Sequence, residues 1–160
     1  PFRPVPTAGA FTQSIPKTAR HCNRHRMPLT RMESGRPALY RARMLNVSCL
    51  CGQIAIELAK RPDFIHECNC TLCAKTGARW GYFHPSEVSV EGGTSGYCRS
   101  DKDAPNAQVR FCPTCGATTH FVLTEQAVAR FGDSLMGVNM GLADARNLAG
   151  IELRYPDGQA

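Results

Sequence analysis

Phe111-Cys112-Pro113-Thr114-Cys115-Gly116 is the stretch on which the reading of this chain turns. Two thiols sit on a tight turn that ends in glycine, and the same device occurs some sixty residues earlier in Cys49-Leu50-Cys51-Gly52. A metal knuckle demands this pattern. The chain must reverse while both sulfurs face one centre, and the glycine tolerates positive φ and brings backbone N–H groups near the thiolates. Together the knuckles supply four thiolates, Cys49, Cys51, Cys112 and Cys115. A tetrahedral site of four thiolates is closed, and closed zinc sites are structural. The rival for one such pair is a redox dithiol, but no βαβ pattern surrounds Cys112 and Cys115 and the matching pair at Cys49 explains them better.

Between the knuckles lies a third cluster, Cys68-Asn69-Cys70-Thr71-Leu72-Cys73. Three thiolates on one short loop leave a tetrahedral zinc one open position, the arrangement of catalytic sites. Two other readings compete with it. His66, His84 or His120 would close the site if the fold brought one of them near, and the three thiols would otherwise be packed and metal-free. The packed reading is the weaker, because nothing on the loop resembles an apolar packing repeat. The remaining two of the nine cysteines are Cys22, incidental in a basic segment, and Cys98, expected as a small buried hydrophobe behind Tyr97 in a strand.

Outward from the cysteines the apolar pattern has period two. Ile54, Ile56 and Leu58 alternate with Ala55, Glu57 and Ala59 and predict a strand. Val88 with Val90, Val109 with Phe111, and Thr119, Phe121 and Leu123 predict others, and Ile151, Leu153 and Tyr155 close the series before Asp157-Gly158. Only Ala143–Ala149 and a short turn after Cys70 read as helical. Many short strands punctuated by Gly and Pro imply a mainly β fold, a sandwich or open barrel.

At 160 residues, 42% of them hydrophobic, the chain holds about one domain and one modest core. No apolar run approaches the roughly 18 residues of a membrane span. The odd cysteine count argues against a closed disulfide framework. The net charge of +6 is unevenly spread. Residues 1–43 carry nine Lys or Arg against the single acid Glu33, and six of the eleven prolines; residues 44–160 carry ten basic and twelve acidic residues. The basic segment is therefore read as a disordered extension, residues 1–43, ahead of a nearly neutral domain, residues 44–160. The chain opens on Pro1, and Met44 is the expected natural start, the extension being upstream read-in. An organelle transit peptide fits less well, for want of an amphipathic helix. A nucleic-acid-binding arm is disfavoured too, because aromatics are not interleaved with the basic residues.

The ordered set Cys49-x-Cys51-Gly52, Cys68-x-Cys70-x-x-Cys73 and Phe111-Cys112-Pro113-x-Cys115-Gly116 resembles the glutathione-dependent formaldehyde-activating enzyme family, whose domain is shared with centromere protein V. Val138-Asn139-Met140 and Ile151-Glu152-Leu153-Arg154-Tyr155-x-Asp157-Gly158 follow the same pattern, so the resemblance spans about residues 45–158. It implies a single β-tent domain of short antiparallel strands with two zinc ions. Cys49, Cys51, Cys112 and Cys115 would hold the structural ion, and Cys68, Cys70 and Cys73 the exchangeable catalytic one. The reaction implied is that of a carbon–sulfur lyase run in reverse, joining glutathione and formaldehyde into S-(hydroxymethyl)glutathione.

The chemistry suits such a site. Zinc lowers the pKa of a thiol that binds it, whereas three cysteinates make it a poor Lewis acid for polarising a carbonyl, so thiol activation is the expected role. Lys75 and Arg79 are candidates to offset the negative charge or meet a carboxylate, against a solvated surface role. Trp80 is a candidate wall of the pocket but is expected in the core, and Asn139 is a candidate neighbour of the pocket, against a turn-amide role. The expected partners are a small thiol such as glutathione and a small aldehyde, with no membrane and no nucleic acid, in a reducing cytoplasm. A zinc-stabilised binding module without catalysis is the alternative reading.

Overall fold

The computed structural model describes residues 44–158; the expected extension and Cys22 lie outside the described residues. Ten short strands follow one another with few helices between them: β1 (Leu45–Ser48), β2 (Ala55–Leu58), β3 (Phe64–His66), α1 (Thr71–Thr76), β4 (Trp80–Phe83), β5 (Val88–Glu91), β6 (Ser95–Cys98), β7 (Ala107–Phe111), β8 (Thr118–Leu123), α2 (Glu125–Phe131), β9 (Met136–Asn139), α3 (Ala145–Leu148) and β10 (Glu152–Arg154). The fold is mainly β, as the alternation predicts.

The strands form two sheets. One has the order β1-β2-β5, the other β10-β3-β4-β9-β8-β7-β6. The expectation of antiparallel strands holds for every pairing but one: β10 runs parallel to β3, with Leu153 opposite Ile65. Its chain returns from β9 through α3 and enters the sheet edge from the same end as β3, a non-local pairing that no local pattern encodes.

Period-two alternation places the inner faces of both sheets in one core. Leu45, Val47, Ile56 and Leu58 of the smaller sheet cluster with Ile65, Phe83 and Val138 of the larger, together with Met140, Cys49 and Cys112. Full burial of an Ile or Leu side chain contributes about 1.5–3 kcal/mol, so this cluster is the main adhesive between the sheets. A second, smaller cluster of Cys73, Ala78 and Trp80, with Tyr82 and Phe121 packed on it, lies behind the middle cysteines. Trp80 is thus a core residue, as expected.

Cys98 is not. It lies in β6, the outermost strand of its sheet, and is exposed. An edge strand has a neighbour on one side only, and here three of its four residues face solvent.

Candidate metal centres

The two knuckles are built alike. Cys49 N–H donates to the Ile54 carbonyl at 3.0 Å, and Cys112 N–H to that of Ala117 at 2.9 Å. Inside each loop the glycine amide closes the turn, Gly52 on the Cys49 carbonyl and Gly116 on that of Cys112. Both glycines have positive φ, 78° and 74°, a conformation that costs other L-residues energy. Cys49 and Cys51 lie between β1 and β2, and Cys112 and Cys115 between β7 and β8, so the knuckles come from different sheets. Thr114 hydroxyl, which donates to the Gln53 side-chain carbonyl, ties one loop to the other.

The four sulfurs lie within 4.8 Å of one another. Cys49 and Cys51 are 3.5 Å apart, and Cys51 and Cys112 3.6 Å. A tetrahedral zinc with Zn–S bonds of about 2.3 Å would set its sulfurs about 3.8 Å apart, so the donor set fits that ion in type, number and spacing. Ile54 N–H points at the Cys49 sulfur from 3.3 Å. The amides of Ala117 and Cys51 bring the Cys115 thiol down to about 6. Cys51 moves the other way, to about 12: the Gln53 amide lowers it, but burial and the other three thiols together outweigh that. Four crowded sulfurs share out their negative charge unequally unless a cation balances it.

The middle cysteines also come together. The sulfurs of Cys68, Cys70 and Cys73 lie within 4.8 Å of one another, and among the described residues no histidine joins that group. Each histidine raised by the sequence has another place. Nδ1 of His66 contacts the Tyr82 hydroxyl at 3.0 Å, and His84 caps the short 3-10 turn Pro85–Glu87. His120 Nδ1 lies 3.0 Å from the Thr119 hydroxyl. The set is therefore three thiols, which fit a zinc ion with a fourth position left for a ligand from outside.

Cys68 follows β3, Cys70 is the N-cap of α1, and Cys73 lies in its first turn. A helix start brings the cap side chain and the residue three places on to the same end, which is why C-x-x-C at this point converges. Trp80 Nε1–H donates to the Cys73 sulfur at 3.3 Å. Burial pushes Cys73 up to about 12, against that bond and with the charges of Cys70 and Cys68. Burial also opposes ionisation of Cys70, yet the Cys73 amide, the neighbouring thiols and the Leu72 amide outweigh it and lower its pKa. Tyr82 is raised to about 12 by burial and then by the three sulfurs, which marks it as a neighbour of the cluster.

Three contributors to this site escape the motif reading. Arg99, at the end of β6, holds Asp101 with two bonds, Nε to Oδ1 at 2.7 Å and Nη2 to Oδ2 at 2.5 Å, and Asp101 first, with the Cys70 thiol as a smaller influence, raises its pKa above the ordinary value. Asn69, the spacer between two cysteines, donates to Asp157 at 3.0 Å and accepts from the Gly158 amide at 2.8 Å. Gly158 is thereby laid on the cluster: a Cβ there would lie 2.6 Å from the Cys68 sulfur and 2.7 Å from Cys70 Cβ. The signal for Gly158 was present in the closing Asp157-Gly158; Arg99 carries no spacing signal at all.

Of the two roles open to Asn139, the structure shows the turn amide. Its side-chain oxygen accepts from Arg79 and Gly141 amides and its nitrogen donates to the Thr118 carbonyl. Lys75 lines a cleft beside α1 together with Arg99.

Fold and sites together define a small, mainly β protein with one four-thiol and one three-thiol cluster of metal-ligating geometry. The chain belongs to the glutathione-dependent formaldehyde-activating enzyme family, whose model matches residues 44–153 and so contains all seven clustered cysteines. A Rhodobacter sphaeroides protein of known crystal structure is similar at 24% identity, covering 69% of this chain and all of its own, with a TM-score of 0.51. That likeness concerns the fold. No curated protein matches the chain. Among the described residues no helix is long and apolar enough to cross a membrane.

Proposed function

We propose that the chain is a zinc-dependent enzyme of the carbon–sulfur lyase type, which joins a small thiol to a small aldehyde or releases them again. Glutathione and formaldehyde are the pair implied by the family. The observation that carries this reading is the convergence of three, not four, thiols at Cys68, Cys70 and Cys73. A zinc ion held there would lower the pKa of an incoming thiol, while one held by Cys49, Cys51, Cys112 and Cys115 would have no position to offer.

The chain's own residues do the rest. Asn69 and Gly158 fix the loop of Cys68 and Cys70, and Trp80 fixes Cys73. Trp80, Tyr82 and Phe121 stack edge to face at centroid distances of 5.0 and 6.2 Å and form an apolar wall that excludes water. Arg99 offsets negative charge at Cys70. In the addition, a carbon–sulfur bond forms, the carbonyl π pair moves to oxygen, and the thiol proton ends on that oxygen. Nothing is oxidised or reduced. The clustered free thiols fit a reducing compartment such as the cytosol.

Elemental analysis of the desalted chain should find two zinc per chain, and Cys70→Ser should lose one of them together with turnover. Because formaldehyde adds to thiols unaided, the rate is measured above that background. An unchanged rate in Cys70→Ser sinks the proposal and leaves the zinc-stabilised binding module in its place.

A further inference from the structure

Gly137 is buried in β9, which has β4 on one side and β8 on the other. A glycine weakens the interior of a strand, and at such a position it marks the close approach of another group. The register supplies that group. Tyr82 of β4 and Phe121 of β8 both lie opposite Gly137, so all three share one face of the sheet. The backbones of β4 and β8 are about 9.5 Å apart across β9. Phe121 nevertheless brings its ring centroid to 5.0 Å from that of Trp80, edge to face at 75°. It does so by lying over the glycine: a Cβ on residue 137 would overlap Cε1 of Phe121 and stand 2.5 Å from Cδ1 and 2.6 Å from Cζ.

We infer that Phe121, admitted across the sheet by Gly137, is a positioning residue of the three-thiol site: it fixes the plane of Trp80, and so the hold of Cys73 on a metal. This rests on the reading of a zinc ion at Cys68, Cys70 and Cys73 and extends it to a residue that no cysteine spacing points to. An indole has one N–H donor, fixed in the ring plane, so a tilt of the ring carries the donor off its acceptor. Here the acceptor is the Cys73 sulfur, 3.3 Å from Nε1. Among the described residues Phe121 is the ring that stacks on the indole, while Tyr82 meets Phe121 at 6.2 Å and turns its hydroxyl to His66. The bond keeps the sulfur aimed and stabilises its negative charge. Loss of such a partner of a metal ligand weakens metal binding by about 10–100-fold.

Trp80 is the one tryptophan of the chain, so its indole N–H gives a single nuclear magnetic resonance signal. In the zinc-loaded full chain that proton should exchange slowly. Phe121→Leu keeps apolar bulk but not the ring, and should speed the exchange by about tenfold or more. Competition with a chelator should show zinc at the three-thiol site weakened by about tenfold in Trp80→Phe and by about threefold or more in Phe121→Leu. Adding Phe121→Leu to Trp80→Phe should weaken zinc no further, because the ring acts through the indole. Gly137→Ala should reproduce Phe121→Leu; circular dichroism checks that each variant folds, and if Gly137→Ala does not, Phe121→Leu decides. Exchange at the wild-type rate in Phe121→Leu, a smaller zinc loss than stated, or full additivity in the double variant overturns the inference. Failure of the zinc reading shows apart from these, as undiminished zinc in Cys70→Ser, and overturns the inference with it.

Discussion

Gly158 touches the cluster with no space for a side chain, so one methyl group is enough to test what holds the three sulfurs together. Gly158→Ala puts a carbon 2.6 Å from the Cys68 sulfur and against Cys70, and backbone or loop must move. Zinc per chain should fall by up to one equivalent in elemental analysis, with the four-thiol site still filled. Trp80→Phe keeps an aromatic ring against Phe121 while deleting the N–H on the Cys73 sulfur. Its expected cost is about 1–2 kcal/mol in denaturant titration, together with faster zinc release to a chelator. At this scale the two thiol clusters were legible, because cysteine spacing along a turn is a local property. Arg99 was not. Twenty-six residues separate it from Cys73, and only the fold brings the end of β6 back to the start of α1.

Most strands that bury one face announced themselves, β1 with its buried Leu45 and Val47 excepted, and elements that bury two did not. β2 and β5 alternate and were predicted; β9 is buried at all four positions, and β4 at three of four, so neither shows a period. β3 is only three residues long. α2 buries a single side chain, Ala127, which leaves no apolar stripe, though its Thr124 cap, acidic first turn and terminal Gly132 were readable signals. Between β8 and the end of β9, Asn139 holds three backbone groups, and Asn139→Ala leaves them without partners in a site 5% exposed. A loss of about 2–4 kcal/mol is expected in chemical unfolding. His120 of β8 gives a pH test. Thr119 donates its one hydroxyl proton to the Arg110 carbonyl, so His120 Nδ1 carries hydrogen toward it. Burial, then the charge of Arg110 on β7, lowers the imidazole to about 4 from 6.5. It stays neutral when folded but takes a proton when unfolded, so its stabilising effect is whole above pH 6.5 and is lost as pH falls toward 4. Its NMR resonances should not titrate between pH 7.5 and 5.5; a midpoint near 6.5 would contradict the burial.

For the molecule as a whole, the two clusters stand in different relations to the fold. Cys49 and Cys51 belong to the loop of the smaller sheet and Cys112 and Cys115 to that of the larger, so a metal there staples sheet to sheet beside the shared core. Cys68, Cys70 and Cys73 lie on one loop and helix start, where a metal joins only near neighbours. Cys112→Ser, or removal of all metal, should therefore lower the melting temperature by about 15 °C, from about 4 kcal/mol at about 4 °C each, and Cys70→Ser by much less. Equal shifts in calorimetry would refute the division. The parallel placement of β10 adds a consequence in the order of synthesis. A chain made from its N-terminus has every ligand of the four-thiol site once Cys115 is made. The floor of the other pocket arrives later than Cys115, carried in by β10 and set down when Asn69 grips Asp157 and Gly158. The sheet staple can close on a nascent protein some forty residues before the three-thiol pocket receives Gly158.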